Sequence, residues 1–282
     1  MITAPLDNWE VSWKPLIQKV RPAAILLQSP GNTSIDVLKA AIQSIKTESY
    51  APLIALSMAD NEFNPLHFEK PSIPWMLATE ASPEALRDNA RKTAEAARAI
   101  GIDMIIGPCL DIPSSEQQKA PQNNPFFGIS TKQIIENGLA YARTLQENGL
   151  APVITHYPGM GAALKQASGN MVIAETDYNV IASWMMPFAD AVTTGLPALM
   201  VGAVAVPILD PQQPDRLAGA SPIIVQEILR QKWEFKGLVI GDTSSLTEPD
   251  FPLSQYAMDC LTAGCDLVLL GSMAPEAVTG VA

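Results

Sequence analysis

The sequence is poor in residue types that several classes of protein need. Its 282 residues include only two histidines and three cysteines, and aromatic residues make up 6%. Cys109, Cys260 and Cys265 form no CxxC pair and have no histidine at metal-ligand spacing. The sequence therefore predicts neither a zinc site nor a disulfide framework. We expect three buried thiols, no metal and no cofactor.

Positive charge is also scarce. Against 29 acidic residues there are 18 basic ones, which gives a formal net charge of -11 at pH 7. The electric field of this negative charge repels phosphate backbones and anionic lipid surfaces, so we expect neither a nucleic acid nor a membrane as partner. No apolar run reaches the ~20 residues that span a bilayer, and residues 1–19 lack the pattern of a secretory signal. The expected location is cytoplasmic.

Short apolar runs that alternate with helical patterns dominate the chain. Runs at 23–27, 53–56 and 103–111 are each followed by a helix-type pattern, and 48% of all residues are hydrophobic. This alternation is typical of a parallel sheet that is buried on both faces. The length fits one α/β barrel of ~250 residues or two smaller domains. We predict an α/β fold, a TIM-like (β/α)8 barrel that occupies residues 1–282 as a single domain.

The strand count falls short of a closed barrel. About seven strands are recognisable, whereas a closed barrel needs eight. Either one strand is hidden in residues 193–208, or the barrel is incomplete or irregular, because only eleven residues follow Gly271. Residues 57–75 show no periodicity and predict a long loop, which is typical of functional loops.

Polar side chains stand where predicted strands end. Asp60, Asp111, His156 and Asp242 each lie at or just beyond the C-terminal end of such a strand. In a barrel those ends converge on one face and can surround one ligand. Three carboxylates and an imidazole suit a neutral polyhydroxylated ligand such as a sugar, because carboxylates accept hydrogen bonds from hydroxyls and one can attack an anomeric carbon.

Each of these residues also has a purely structural interpretation. A lone histidine at a strand end, such as His156, is often a hydrogen-bonded structural residue. Asp111 precedes Ile-Pro and fits a turn that it caps. Asp242 precedes Thr-Ser-Ser and fits the cap of a following helix. Local sequence alone does not decide between the structural and the functional interpretation of these residues.

Several motifs stand in collinear order between residues 20 and 271. They include Gly107-Pro-Cys-Leu-Asp111, His156-Tyr-Pro-Gly-Met-Gly161, Phe235-Lys-Gly-Leu-Val-Ile-Gly-Asp242 and Ala263-Gly-Cys-Asp266. They resemble Ala-Pro-Val-Leu-Asp, Lys-His-Phe-Pro-Gly-His-Gly, Phe-x-Gly-Val-Val-x-Ser-Asp and Ala-Gly-x-Asp of glycoside hydrolase family 3, in its N-terminal barrel domain. The bacterial β-N-acetylglucosaminidase branch is the most similar. The resemblance implies a retaining hydrolase of O-glycosyl bonds that acts on β-N-acetylhexosaminides or β-glucosides.

The resemblance also implies a role for each candidate residue. Asp242 corresponds to the catalytic nucleophile, which forms a covalent glycosyl-enzyme. His156 and Asp60 would bind sugar hydroxyls, and Asp111 would lie at the pocket floor. The implied partner is a small carbohydrate, and a homodimer in which a neighbouring subunit completes the pocket stays open.

The chain departs from the family pattern at positions that matter for catalysis. Thr155 replaces the lysine before the pocket histidine, and Phe-Asn-Pro at 63–65 replaces Gly-Gly-Arg. The branch carries its acid/base histidine, backed by an aspartate, on the loop that corresponds to residues 160–169. Here this loop contains no His, Asp or Glu. Loss of general acid catalysis costs roughly 10²–10⁴-fold in rate.

Two hypotheses follow from these departures. The first is a working hydrolase in which Asp242 is the nucleophile and Glu62, Glu175 or His67 supplies the missing proton. The second is a catalytically inactive barrel that serves as a sugar-binding or scaffold protein, since fold does not determine function.

Overall fold

The chain folds as an α/β barrel in the computed structural model. The structure describes residues 1–5, 13–28, 34–47, 50–58, 82–114, 117–119, 125–166, 170–244, 246 and 251–271. Asp60, Glu62 and His67 lie outside these residues, so the predictions made for them are not addressed by the structure.

Eight parallel strands form the barrel sheet. The strands of the described chain are β1 (Ile2–Pro5), β2 (Ala24–Gln28), β3 (Leu53–Ser57), β4 (Met104–Cys109), β5 (Ala151–Tyr157), β6 (Leu164–Lys165), β7 (Met171–Val172), β8 (Ala198–Val201), β9 (Val204–Ala205), β10 (Leu238–Asp242) and β11 (Leu267–Leu269). The barrel order is β1-β2-β3-β4-β5-β8-β10-β11, while β6, β7 and β9 form a separate small sheet.

The strand that the sequence did not predict is β1, which closes the barrel. The amide of Thr3 donates to the carbonyl of Leu270 at 3.1 Å, and the amide of Leu270 donates to the carbonyl of Met1 at 3.0 Å. These bonds join the first strand to the last and leave the barrel nearly closed. The eighth barrel strand therefore lies at the N-terminus. In residues 193–208 the barrel contains β8, and β9 belongs to the small sheet.

Helices connect the strands and cover the outside of the barrel. They are α1 (Lys14–Val20), α2 (Ile35–Lys46), α3 (Pro83–Ala99), α4 (Thr131–Glu147), α5 (Tyr178–Thr193), α6 (Ile223–Lys232, with π-type hydrogen bonding) and α7 (Leu253–Ala263). Ser34, Ser82 and Ser130 cap α2, α3 and α4, because each side chain accepts a hydrogen bond from an amide of the first turn. Among the described helices, none combines the length and hydropathy that crossing a membrane requires.

The barrel interior is filled by side chains. Alternate residues of each strand point inward, so Ala24 and Leu26 belong to the interior cluster while Ile25 and Leu27 pack outward under the helices. The interior cluster consists of Met1, Ala24, Leu26, Ala55, Met104, Ile106, Val153, Ala198, Met200, Ile240 and Leu269. A filled interior leaves room for a ligand only at a mouth of the barrel.

Arg230 joins α6 to the N-terminal ends of two barrel strands. Its guanidinium donates to the carbonyl of Gly237 at 2.7 Å and to the carboxylate of Asp266 at 2.6 Å. The same carboxylate oxygen accepts from the amide of Val239 at 2.7 Å. One planar cation thus fixes the starts of β10 and β11 against the helix between β9 and β10.

We expect Arg230→Lys to lower the free energy of unfolding by about 1.5–3 kcal/mol, because an ammonium cannot reproduce the guanidinium fork. The measured loss should fall at the lower end of this range, because the Asp266 side chain is 46% exposed and solvent screens its charge. Urea denaturation measures the loss. Arg91→Lys on the surface of α3 is the control, since its exposed pairs with Asp88 and Glu95 contribute little. Equal losses in both variants would show that Arg230 has no such role.

Candidate active site

A cavity of about 170 Å³ opens at the C-terminal ends of the barrel strands. The cavity is lined by residues at the ends of the strands and by two residues of the barrel interior. They include Cys109, Thr155, His156 and Ser244 at the strand ends, and Met200 and Leu269 from the interior. The volume lies below the roughly 300–1,000 Å³ of typical small-molecule pockets.

His156 and Asp111 form a hydrogen-bonded pair at this mouth. Strands β4 and β5 are neighbours, with Cys109 opposite Thr155, so the residues that follow lie side by side. The Nδ1 of His156 is 2.8 Å from Oδ2 of Asp111. Because an ionised carboxylate only accepts, Nδ1 carries the proton. Nε2 is then the ring nitrogen that a ligand in the cavity can meet.

The electrostatics of His156 link three of the predicted residues. Burial of the imidazole lowers the pKa of His156, but the charge and the hydrogen bond of Asp111 raise it, and the charge of Asp242 raises it further. The net shift of the pKa is upward. Asp242 therefore lies within electrostatic reach of His156, although the two are far apart in sequence.

Asp111 also holds the loop that follows β5. Its Oδ1 accepts from the amide of Met160 at 2.8 Å and from the amide of His156 at 3.3 Å, and its side chain is 4% exposed. The glycines of the loop allow this approach. Gly159 has φ +122°, and a Cβ at Gly161 would overlap the carbonyl oxygen of Ile112.

Asp242 ends β10 and is almost completely buried. Its Oδ1 accepts from the amide of Ser244 at 2.7 Å and from the hydroxyl of Ser244 at 2.6 Å. In the part of the chain that the structure describes, the next helix is α7, and the side chain of Asp242 stabilises the turn after β10 through its bonds to Ser244. Since Ser244 lines the cavity, Asp242 lies directly behind the cavity wall.

Residues 67–281 match the glycosyl hydrolase family 3 N-terminal domain. This match covers 215 of the 282 residues. The chain belongs to this family.

Individual relatives are similar over much of the chain. The chain is 32% identical to a Beta-hexosaminidase of Methylobacillus flagellatus over 176 residues, which is 61% of this chain and 49% of the relative. It is 27% identical to a Beta-hexosaminidase of Hydrogenovibrio crunogenus over 264 residues, covering 88% and 71% of the two chains. The match thus spans about half the length of the first of these relatives.

Solved structures show the same fold. The Beta-N-acetylhexosaminidase from Beutenbergia cavernae superposes with a TM-score of 0.83 at 20% identity, covering 100% of this chain and 87% of that one. NagZ from Neisseria gonorrhoeae gives a TM-score of 0.80 at 21% identity, covering 99% and 83%. The predicted TIM-like barrel is confirmed.

The structure brings three of the four predicted site residues of the family 3 chain to one mouth of the barrel. These are Asp111, His156 and Asp242, while Asp60 lies outside the described residues. Glu175, proposed from sequence as a replacement acid, accepts from the amides of Thr176 and Asp177 at 2.7 and 2.8 Å at the start of α5.

Sequence reasoning missed Ser244 and Cys109 as members of this family 3 site. Ser244 donates twice to Asp242, and the thiol of Cys109 donates to Oδ2 of Asp111 at 3.3 Å. The signal for Ser244 was its position two residues after the aspartate, which is the spacing of an Asx turn. The proximity of Cys109 to His156 depends on strand register, which no local pattern reveals.

We expect Asp111→Ala to cost about 2–4 kcal/mol of unfolding free energy, because it leaves the amides of Met160 and His156 without an acceptor and each buried unsatisfied donor costs about 1–3 kcal/mol. Asp111→Asn keeps an acceptor oxygen for these amides and is the matched control. Chemical denaturation compares the two variants. If Asp111→Asn were as unstable as Asp111→Ala, the amide bonds would not explain the role of Asp111.

Proposed function

We propose that this family 3 chain is a retaining glycoside hydrolase that acts on β-linked N-acetylhexosamine and uses Asp242 as its nucleophile. The observation that carries the proposal is that His156 lines a cavity of about 170 Å³, while Asp111 bonds to its ring and Asp242 bonds to Ser244 in the cavity wall. The substrate class is supported by the curated relatives, which are named beta-hexosaminidases.

The hydrogen bonds of Asp242 support separate roles for its two carboxylate oxygens. Ser244 holds Oδ1 with two donors, so Oδ2 is the oxygen that would attack the anomeric carbon. The glycosidic C–O bond would break as the new C–O bond forms, and water would later release the sugar from Asp242. His156, oriented by Asp111 through Nδ1, would accept a hydrogen bond at Nε2 from a sugar hydroxyl.

Protonation of the leaving group is the weak step of this mechanism. Residues 160–169, which follow β5, contain no carboxylic acid or imidazole. A substrate whose leaving group departs without a proton is therefore expected to react much faster than one that needs it, by up to the roughly 10²–10⁴-fold that general acid catalysis supplies.

The test compares two N-acetyl-β-glucosaminides, one with a para-nitrophenol leaving group and one with methanol. We expect hydrolysis of the aryl glycoside and little or none of the methyl glycoside. Efficient hydrolysis of both would mean that an acid outside residues 160–169 serves the site. No hydrolysis of either, with a native circular dichroism spectrum and a panel of aryl sugars tried, would overturn the hydrolase proposal.

A sugar-binding protein without hydrolysis is the second candidate. The absence of an acid in residues 160–169 and the Thr155 that replaces a lysine favour it. Calorimetric titration with N-acetylglucosamine separates the two candidates, because a binding protein would give heat of binding without turnover of the aryl glycoside. A protein with only a scaffold function would give neither heat of binding with N-acetylglucosamine nor turnover of the aryl glycoside.

The proposal includes a small carbohydrate as partner and a cytoplasmic location with a role in carbohydrate metabolism. The described cysteines are all buried free thiols, which fits a reducing compartment. Cell fractionation tests the location. Sedimentation with and without N-acetylglucosamine tests whether a homodimer forms.

A further inference from the structure

Three side chains of metal-binding type meet beside the cavity. The Sγ of Cys109, a carboxylate oxygen of Asp111 and a ring nitrogen of His156 all lie within 4.8 Å of one another. Oδ2 of Asp111 is 3.3 Å from Sγ and 2.8 Å from Nδ1. Cys109 and Asp111 are buried, and Cys109 and His156 line the cavity, which gives an ion a route from solvent.

We propose that Cys109, Asp111 and His156 form a binding site for a thiophilic divalent cation of the zinc class. A thiolate, an imidazole and a carboxylate are the ligands that Zn²⁺ takes in proteins, whereas Mg²⁺ and Ca²⁺ prefer oxygen alone. Three protein ligands leave a fourth position for water or another small ligand.

The three ligand atoms would have to move to hold such an ion, and Sγ and the His156 ring nitrogen, now within 4.8 Å of each other, would have to come to about 3.5 Å. With metal–ligand distances of about 2.0–2.3 Å, a tetrahedral ion separates its ligand atoms by roughly 3.3–3.7 Å. The 2.8 Å between Nδ1 and Oδ2 would therefore open by about 0.5 Å, while the 3.3 Å between Sγ and Oδ2 already fits. Oδ1 of Asp111 keeps its bonds to the amides of Met160 and His156, and these bonds hold the carboxylate in its orientation.

Charge and proton balance favour the same site. The ion would take the place of the thiol proton of Cys109, which passes to solvent, and of the proton on Nδ1 of His156, which moves to Nε2 so that the imidazole stays neutral. One thiolate and one carboxylate, both buried, then neutralise the charge of the divalent cation. No oxidation or reduction takes part.

Cys109 is one of the positions at which this chain departs from the motif that it resembles. It stands where the family 3 motif Ala-Pro-Val-Leu-Asp has valine, so the thiol is an addition to a pocket whose aspartate and histidine match the family. Sequence spacing predicted no metal site, because Cys109 and His156 lie on different strands and become neighbours only through the register of β4 and β5.

The test titrates untagged, chelator-treated protein with Co²⁺ as a spectroscopic probe and then with Zn²⁺. We expect one Co²⁺ per chain, an intense thiolate-to-cobalt charge-transfer absorption, and displacement of Co²⁺ by Zn²⁺ but not by Mg²⁺. Cys109→Val, which restores the motif residue, should remove the charge-transfer absorption and weaken binding at least tenfold. Cys260→Val, at another buried cysteine, is the matched control and should bind like wild type.

Co²⁺ binding without charge-transfer absorption, or equal affinity in wild type and Cys109→Val, would overturn the proposal. X-ray absorption of the wild-type Zn²⁺ complex keeps the test decisive if a variant does not fold. We expect one sulfur ligand at about 2.3 Å, and a shell of only nitrogen and oxygen would contradict the site. The measurements use no sugar, so their outcome is independent of the proposed hydrolase function.

Discussion

Asp242→Ala is expected to reduce hydrolysis of para-nitrophenyl N-acetyl-β-glucosaminide to the rate without enzyme. The aryl leaving group needs no proton, so the nucleophile is the one protein group on which this reaction depends, and alanine cannot form the glycosyl-enzyme. Initial rates from nitrophenolate absorbance measure the loss. Asp242→Asn is expected to lose hydrolysis to the same extent as Asp242→Ala, although its amide oxygen can still accept hydrogen bonds from Ser244.

An external nucleophile distinguishes a missing carboxylate from a damaged pocket. Azide should enter the space left in Asp242→Ala, attack the anomeric carbon and release nitrophenol, with a glycosyl azide as product. Asp259→Ala on the outer helix α7 is the control, because this carboxylate bonds only to Gln255 among the described contacts, and it should keep wild-type activity. Turnover by Asp242→Ala at a rate close to wild type would exclude Asp242 as the nucleophile.

Gly161→Ala is expected to lower the free energy of unfolding by about 3 kcal/mol or more, the upper end of the cost of overpacking. The added Cβ would overlap the backbone oxygen of Ile112, and backbone moves less readily than a side chain. Ile112 directly follows Asp111, whose carboxylate binds the amide of Met160. Any shift that relieves the overlap therefore also disturbs the pair of Asp111 and His156. Thermal and urea denaturation measure the loss.

Gly195→Ala is the matched control for Gly161→Ala. Gly195 has φ +72° but nothing within 4 Å of an added Cβ, so only backbone strain of roughly 1–2 kcal/mol applies. A loss in Gly161→Ala no larger than in Gly195→Ala would mean that the loop after β5 relaxes freely and does not fix the pocket.

Much of the fold could be predicted because apolar strands and amphipathic helices alternate with distinct periods. The strand β1 escaped prediction because its sequence, Ile-Thr-Ala-Pro, is short and has little apolar pattern. It becomes a strand through pairing with β2 on one side and with Leu270 on the other, and such long-range partners leave no local signal. That residues 1–282 form a single domain stays a prediction.

The site was predictable as far as strand ends could be recognised. Asp111, His156 and Asp242 were identified because a polar residue that ends a buried strand must face a mouth of the barrel. Their mutual contacts were not predictable, since the 2.8 Å bond between His156 and Asp111 depends on the register of two strands. The same register brings Cys109 to the pair, so local sequence patterns could not predict the metal site proposed above.

Covalent trapping tests most directly whether the cavity holds a sugar with its anomeric carbon against Asp242. The protein would be incubated with an activated, ring-fluorinated N-acetylglucosaminyl fluoride, which slows release of the sugar, and then digested for mass spectrometry. We predict one sugar per chain, attached through Asp242 on the peptide that contains β10. A folded protein that acquires no sugar, or that carries it on a residue other than Asp242, would contradict the account.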